Sequence, residues 1–523
     1  MGGDDMNVPK NGDSLSRRGA LALLGAGATL SLVACSERTN DAQTATVTER
    51  GDGLHYLTLH EIARRIATRD LSPVDLTQRL LDRIAALDAT LKSYATVIPD
   101  QALADARAAE QEITGGRYRG PLHGVPIAVK DLFYTKGVLT MGGSAVYKDF
   151  VPSFDSTVVA KLREAGAVLL GKLNLTEGAT AGYSPSFDVP RNPWNVDYWP
   201  GLSSSGSGVA VAAGLCFAAT GTDTGGSIRY PSSACGIVGL KPTYGRVSRY
   251  GVLTFADSLD HVGPMARSVE DVAIMFDAMT GHDLNDPTSL DVPPPNAARE
   301  VGRDIRGMRI GIDRRYAMEG VDRGDAAALD EALVVLAGLG AQIVDVQMPD
   351  LSSLLPIWQT IAGAEMVEAH KATFPSRASE YGPYVQEFLG EGSRVTPERL
   401  AEARKDRVEL TAEIDRTLES VDAMACLSGG APAWRITRET QVGPLGALHA
   451  AWGAASPRAM DFTGPMDLAG TPTICVPSGF SADGLPYSMQ LAGRRLSEPT
   501  LCRIAGAYEQ ATAWHNRHPT IVV

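Results

Sequence analysis

PGLSSSGSGVAVAAGLCFAATGTDTGGSIRYPSSACGIVGLKPT, residues 200–243, concentrates serine and glycine far beyond any packing need. It holds two polar turns, residues 201–207 and 223–227, joined by an apolar segment. The first turn runs into small residues able to form a close-packed helix. The second follows the β-leaning CFAAT, so both lie at the ends of elements, where chemistry tends to sit. Gly225 and Gly226 let the chain turn sharply before Ser227, which aims successive N–H groups of Thr224, Gly225, Gly226 and Ser227 at one spot, an oxyanion cradle in outline. Ser227 is then the natural nucleophile, and it needs a base. No histidine occurs between His123 and His261. A lysine held neutral by burial can serve instead, and Lys130 ends the apolar run PIAVKD. Asp223 and Arg229 flank Ser227 closely enough to pair across the turn as loop supports.

These residues carry a resemblance to the amidase signature family. Its serine- and glycine-rich signature matches residues 201–207, and its nucleophile segment matches GTDTGGSIRYPSSACGIVGLKPT. The match extends to LHGVPIAVKD (122–131), GAVLLGKLN (166–174), PRNPW (190–194), SLDHVGPMARS (258–268), GTPTICVPSGF (470–480) and YEQATAWH (508–515). So many segments in one order make a chance match untenable. The resemblance implies an α/β fold, a single large α/β/α sandwich around a mixed β-sheet. It implies hydrolysis of carboxamide bonds through an acyl-enzyme, with Lys130 as base, Ser203 as a bridging serine preceded by a cis peptide bond, and Ser227 as nucleophile. Ser203 lies 24 residues before Ser227, as the family pattern has it, whereas Ser204 and Ser205 are off register. Leu202 and Ser205 stand where the family commonly has glycine. No metal and no cofactor is implied. Two other readings stand beside this one: the A subunit of a tRNA-dependent amidotransferase, and a binding lipoprotein derived from the family without catalysis.

Composition is ordinary for a soluble globular protein. The chain has 523 residues, 44% hydrophobic and 21% charged, and a net charge of −13 that argues against nucleic acid as a partner. Its six cysteines form no CxxC pair, so neither a zinc site nor a disulfide scaffold is indicated. Cys35 differs: it ends a charge-free stretch after Arg17 and Arg18, and LVAC at 32–35 has the form of a lipoprotein cleavage box. The expectation is an export signal over residues 1–35, twin-arginine-like, a polar tether over 36–56, and one domain over 57–523. Such a protein is periplasmic or held at the cell envelope by a lipid on Cys35; a cytoplasmic protein is the alternative. The partner expected is a small-molecule amide, with the oligomeric state open and a homodimer among the options.

Beyond residue 57 the pattern opens with helices, one of them capped by Ser72 with Pro73 at its first position. It then alternates strand and helix through PIAVKD, AVLLGK, the helix after Ser207 and CFAATGT. DVPPPNAAREVGRDIRG (291–307) reads as a proline-bearing connector, after which MRIGID restores the alternation; the family resemblance implies that it is not a domain boundary, since that family's sheet takes strands from both sides of such a connector. Residues 353–420 read as mainly helical, and a last helix covers about 498–511. GAVLLGK mimics a phosphate-binding loop, but Leu173 stands where magnesium needs Ser or Thr. Pocket walls are expected from residues 141–144, 183–187, the helices after Leu354, and 429–452. Gly142, Gly143 and Ser204 are taken as substrate contacts, and Trp358, Phe388, Trp434 and Trp452 as candidates to shape an acyl site.

Overall fold

PIAVK, residues 126–130, is buried at all five positions in the computed structural model, which describes residues 53–521. A run apolar on both faces suits a parallel strand covered by helices on each side. The export segment, Cys35 and the tether up to residue 52 lie outside the described residues. The described residues open with a short turn Leu54–Tyr56 whose Leu54 is buried.

The described residues supply eleven strands of one mixed sheet: β1 (Tyr94–Val97), β2 (Pro126–Lys130), β3 (Val168–Leu173), β4 (Ala218–Asp223), β5 (Val238–Lys241), β6 (His261–Ala266), β7 (Arg309–Ile312), β8 (Gln342–Asp345), β9 (Ala423–Leu427), β10 (Thr473–Phe480) and β11 (Pro486–Ala492). Their order is β1-β3-β2-β4-β6-β5-β10-β11-β9-β7-β8. Strand β2 pairs parallel with β3 and β4, the centre from β4 to β11 is antiparallel, and β7 runs parallel to both β8 and β9. Strands β7 and β8 lie beyond the proline-bearing connector yet complete the same sheet, so the connector divides nothing.

Most expected elements form where their signals lie. Ser72 accepts from the amides of Val74 and Asp75 to start the helix Pro73–Leu91, and Ser268 accepts from Asp271 to start Val269–Met279. The last helix is Glu498–Ala511. The phosphate-loop mimic GAVLLGK is strand β3, and its Lys172 pairs with Asp131 at 3.1 Å and donates to Thr140 at 2.6 Å. Strand β6 escapes the sequence pattern, because Pro264 sits inside HVGPMA and proline normally argues against a central strand. The helix Ala459–Ala469 escapes it for the same reason, since it contains Pro465.

Two features bring the chemistry together. Lys130 ends β2 and Asp223 ends β4, neighbouring parallel strands, so both reach the carboxyl edge of the sheet where α/β folds place their ligands. The helix Ser205–Ala212 passes so close to the preceding layer that a Cβ on Gly206 would lie 2.4 Å from the carbonyls of Ser93 and Asn174. Only glycine lets residues 203–205 reach that edge.

Candidate active site

Lys130 is fully buried, and its Nζ lies 2.8 Å from Ser203 Oγ, 2.9 Å from Ser204 Oγ and 2.7 Å from Thr222 Oγ1. Burial pushes the ammonium down to about 7, against the carboxylates of Asp223 and Asp260, which favour its charge. A neutral amine has two N–H donors and one lone pair, which matches three hydroxyl neighbours. Ser204 is committed as an acceptor toward the lysine, because its own hydroxyl donates to Thr222 O at 3.2 Å. The hydroxyls of Ser203 and Thr222 each have Lys130 Nζ as their hydrogen-bond partner among the described residues, so either can meet the lone pair of a neutral lysine. The peptide bond between Leu202 and Ser203 is cis. The other serines of the turn serve elsewhere: Ser205 accepts from Tyr183 Oη at 2.7 Å, and Ser207 donates to Thr220 O at 2.8 Å.

The Ser227 turn is held from behind by a buried charge network. Asp223 Oδ1 accepts from Gly226 N at 2.7 Å, Asp223 Oδ2 accepts from Ile228 N at 3.0 Å, and both oxygens accept from the guanidinium of Arg229 at 2.9–3.0 Å. Burial works against the Asp223 charge, but Arg229 overrules it and holds the carboxyl well below its usual range. Arg229 also donates to Asp467 Oδ2 at 2.7 Å and to Thr463 O at 3.0 Å, so the expected pair is one part of a larger clamp. The carbonyls of the turn are pinned as well. Trp358 Nε1 donates to Thr224 O at 2.8 Å, Thr463 Oγ1 donates to Gly225 O at 2.7 Å, and Thr224 Oγ1 donates to Asp260 Oδ1 at 2.6 Å. Since Gly226 N is spent on Asp223, the turn amides without a protein acceptor among the described residues are those of Thr224, Gly225 and Ser227. Gly226 has φ +127°, and a Cβ there would lie 2.4 Å from the Tyr230 ring. Ser204 N donates to Ser227 O at 3.2 Å, which brings the two serine turns side by side.

Ser227, only 6% exposed, opens with Gly225 onto a cavity of about 280 Å³. A larger hollow of about 1000 Å³ shares Asp461 with it and is lined by none of Lys130, Ser203 or Ser227. The walls of the Ser227 cavity differ in part from expectation. Trp358, Phe388 and Trp452 line it, whereas Trp434 stacks on Trp199 at 4.1 Å instead. Residues 141–144 and 183–187 stand back from it, and residues 179–181, Leu202, Tyr230 and Phe255 take their place. Gly142 and Gly143 therefore do not contact the cavity, and neither does Ser204. Gly142 accepts from Gly178 N at 2.8 Å, supporting the turn that carries residues 179–181, and Ser204 works behind the surface as a partner of Lys130.

Sequence reasoning misses Thr220 and Thr222. They alternate along TGTD, so both share one face of the sheet beside β2: Thr220 Oγ1 accepts from Lys130 N at 3.0 Å, and Thr222 meets its Nζ. Neither His123 nor His261 bonds Ser203 or Ser227. His123 accepts from Arg119 N at 3.1 Å, and His261 Nδ1 lies 2.6 Å from Leu259 O, its imidazole pushed down by burial.

Comparison with known proteins gives this geometry a family. The amidase family model matches residues 75–502, and the chain belongs to the amidase signature family. It is 41% identical over 470 residues to the putative amidase AmiD of Mycobacterium tuberculosis, covering 90% of this chain and 97% of that one. It is also 41% identical over 493 residues to the A subunit of the glutamyl-tRNA(Gln) amidotransferase of Geobacter metallireducens, covering 89% and 99%. Among solved structures it resembles the native peptide amidase of Stenotrophomonas maltophilia, with a TM-score of 0.78, 32% identity and coverage of 89% and 98%. With these relatives and this fold, the protein is an amide-hydrolysing enzyme.

Proposed function

We propose that the enzyme cleaves carboxamides with Ser227 as nucleophile, Ser203 as proton bridge and Lys130 as base. The observation that carries the reading is a fully buried lysine, its ammonium pushed down to about 7, lying 2.8 Å from Ser203 beside the turn that presents Ser227. The Lys130 lone pair takes the Ser203 proton, Ser203 takes that of Ser227, and Ser227 Oγ bonds to the amide carbon. The carbonyl electron pair moves onto oxygen, where the amides of Thr224, Gly225 and Ser227 meet it; each such donor lowers the barrier by about 3 kcal/mol. Return of the protons along the same path releases the amine, and water then frees the acid from the acyl-serine. Gly226 N supports the cradle through Asp223 and does not donate into it. The test is release of ammonia or amine from simple amides by the wild type, with at least about 1000-fold loss in Ser227→Ala. Unchanged turnover in that variant would remove Ser227 from the chemistry.

The identity to the A subunit of an amidotransferase supports a second reading, in which the chain liberates ammonia from glutamine inside a complex. Glutaminase activity that emerges only with partner proteins would favour it. The segment with Arg17, Arg18 and LVAC supports export and lipid attachment at Cys35. A mature protein of native cells that starts at Cys35 and carries a diacylglyceryl group would establish this. An unprocessed soluble chain would refute it.

A further inference from the structure

The walls around Ser227 narrow the substrate, an inference that rests on Ser227 being the nucleophile. Two rows of rings leave its turn. On one side Trp358 lies against Gly225, where a Cβ would come within 3.1 Å of the indole. From there the ring centroids step 6.4 Å to Phe388, 6.2 Å to Tyr384 and 5.9 Å to His449. On the other side Tyr230 lies against Gly226 and meets Trp452 edge-on at 5.3 Å. His449 and Trp452 stand three residues apart on the helix Leu445–Ala455 and share a face, so this helix closes both rows at the end away from Ser227.

Among the described residues, the cavity between the rows offers no free charge. Asp461 is the one carboxylate in its lining, and Arg458 Nε donates to it at 2.9 Å. Burial pushes the His449 imidazole down, so the ring is neutral in the range where Lys130 is a base. A carboxylate or ammonium on a substrate would lose its water here without a partner, which is costly. Flat apolar groups gain instead from the facing rings. At about 280 Å³ the space sits at the small end of ligand pockets and suits a small molecule, not a polymer side face. At its far end Tyr384 Oη lies 3.3 Å from His449 Nε2. If the phenol donates to the imidazole, its oxygen can still accept a bond; if the imidazole donates, the phenol hydrogen is free to be given. The pair therefore meets either kind of hydrogen-bonding atom.

The geometry points to an uncharged amide whose acyl part carries an aromatic ring on a short chain, with a neutral hydrogen-bonding group on the ring met by Tyr384 and His449. The experiment compares kcat/KM for butyramide, 3-phenylpropionamide, 3-(4-hydroxyphenyl)propionamide and L-glutamine, with labelling of Ser227 by a phosphonofluoridate run in parallel. Adding the ring should raise kcat/KM about 10-fold or more, and the ring hydroxyl several-fold further, with glutamine at least about 100-fold below the best substrate. In His449→Leu and in Tyr384→Phe the ratio between hydroxylated and plain ring should fall toward one; this ratio is insensitive to the amount of folded enzyme. Butyramide or glutamine as the best substrate, or an unaltered ratio in both variants, would overturn the inference. If Ser227 is labelled while the aromatic preference is missing, this inference falls alone. If Ser227 is neither labelled nor needed for turnover, the reading of the nucleophile falls and takes this inference with it.

Discussion

The rate of hydrolysis should rise with pH through about 7, because the base must be neutral to act. Among the described residues Lys130 makes three hydrogen bonds to hydroxyls and none to a carboxylate, so burial dominates and brings its ammonium down to about 7. With that value about a tenth of the lysine is neutral at pH 6 and about nine tenths at pH 8, so kcat/KM should climb roughly 10-fold between them and then level off. Lys130→Met removes the lone pair while keeping the volume, and should lower kcat/KM by about 100- to 10 000-fold and flatten the limb. The same group shapes stability. Its folded value lies below its unfolded value of 10.5, so between about pH 7 and 10.5 the unfolded chain binds the extra proton. Stability from this group therefore rises with pH across that window, by about 1.4 kcal/mol per unit, and is flat below it. The assay is kcat/KM on a neutral amide from pH 5 to 10, whose ionisation does not contribute. A limb centred near 10, or one that survives in Lys130→Met, would refute a buried neutral base.

Asp223→Asn should destabilise the fold by about 3–5 kcal/mol, since Asp223 is the carboxylate held ionised against the buried Arg229 guanidinium, and chemical denaturation measures this directly. Gly226→Ala should abolish labelling of Ser227, because its φ of +127° and the Tyr230 ring 2.4 Å from an added Cβ leave no room; the check is labelling in protein that still melts cooperatively. Trp358→Phe keeps the wall but removes the bond to Thr224 O, and should lower kcat more than it raises KM, by about 10-fold, in steady-state kinetics. His123→Gln should keep kcat within a few-fold, as the ring lies against Gly166 and not beside Ser227; a loss of about 1000-fold would restore a histidine base.

The candidate site's edge is legible because its signals are local. PIAVKD is an apolar strand ending in a charge, and GGS is a turn ending in the serine proposed as nucleophile, so Lys130 and Ser227 stand out within a few residues. Ser203 needs the family pattern, since in SSSGS nothing local separates it from its neighbours; the structure separates them by partner, giving Ser205 to Tyr183 and Ser207 to Thr220. The clamp behind the turn is half legible. Asp223 and Arg229 are six residues apart, but Asp467 and Thr463 reach Arg229 from a helix more than 230 residues on. Pocket walls are hardest, because they join the turn at 179–181, Phe255 and five separate helices, and no periodicity records which helix face another element leaves uncovered. Gly142 and Gly143 illustrate this: their glycines signal a turn, which exists, but it lies one layer behind the cavity.

The most direct measurement is peptide mass spectrometry after exposure to a serine-directed phosphonofluoridate, comparing wild type, Ser227→Ala and Lys130→Ala. The account predicts one adduct, on Ser227, absent from the first variant and formed about 100-fold or more slowly in the second. Labelling on another serine, or labelling of Ser227 at an undiminished rate in Lys130→Ala, would contradict a serine activated through Ser203 by a buried lysine.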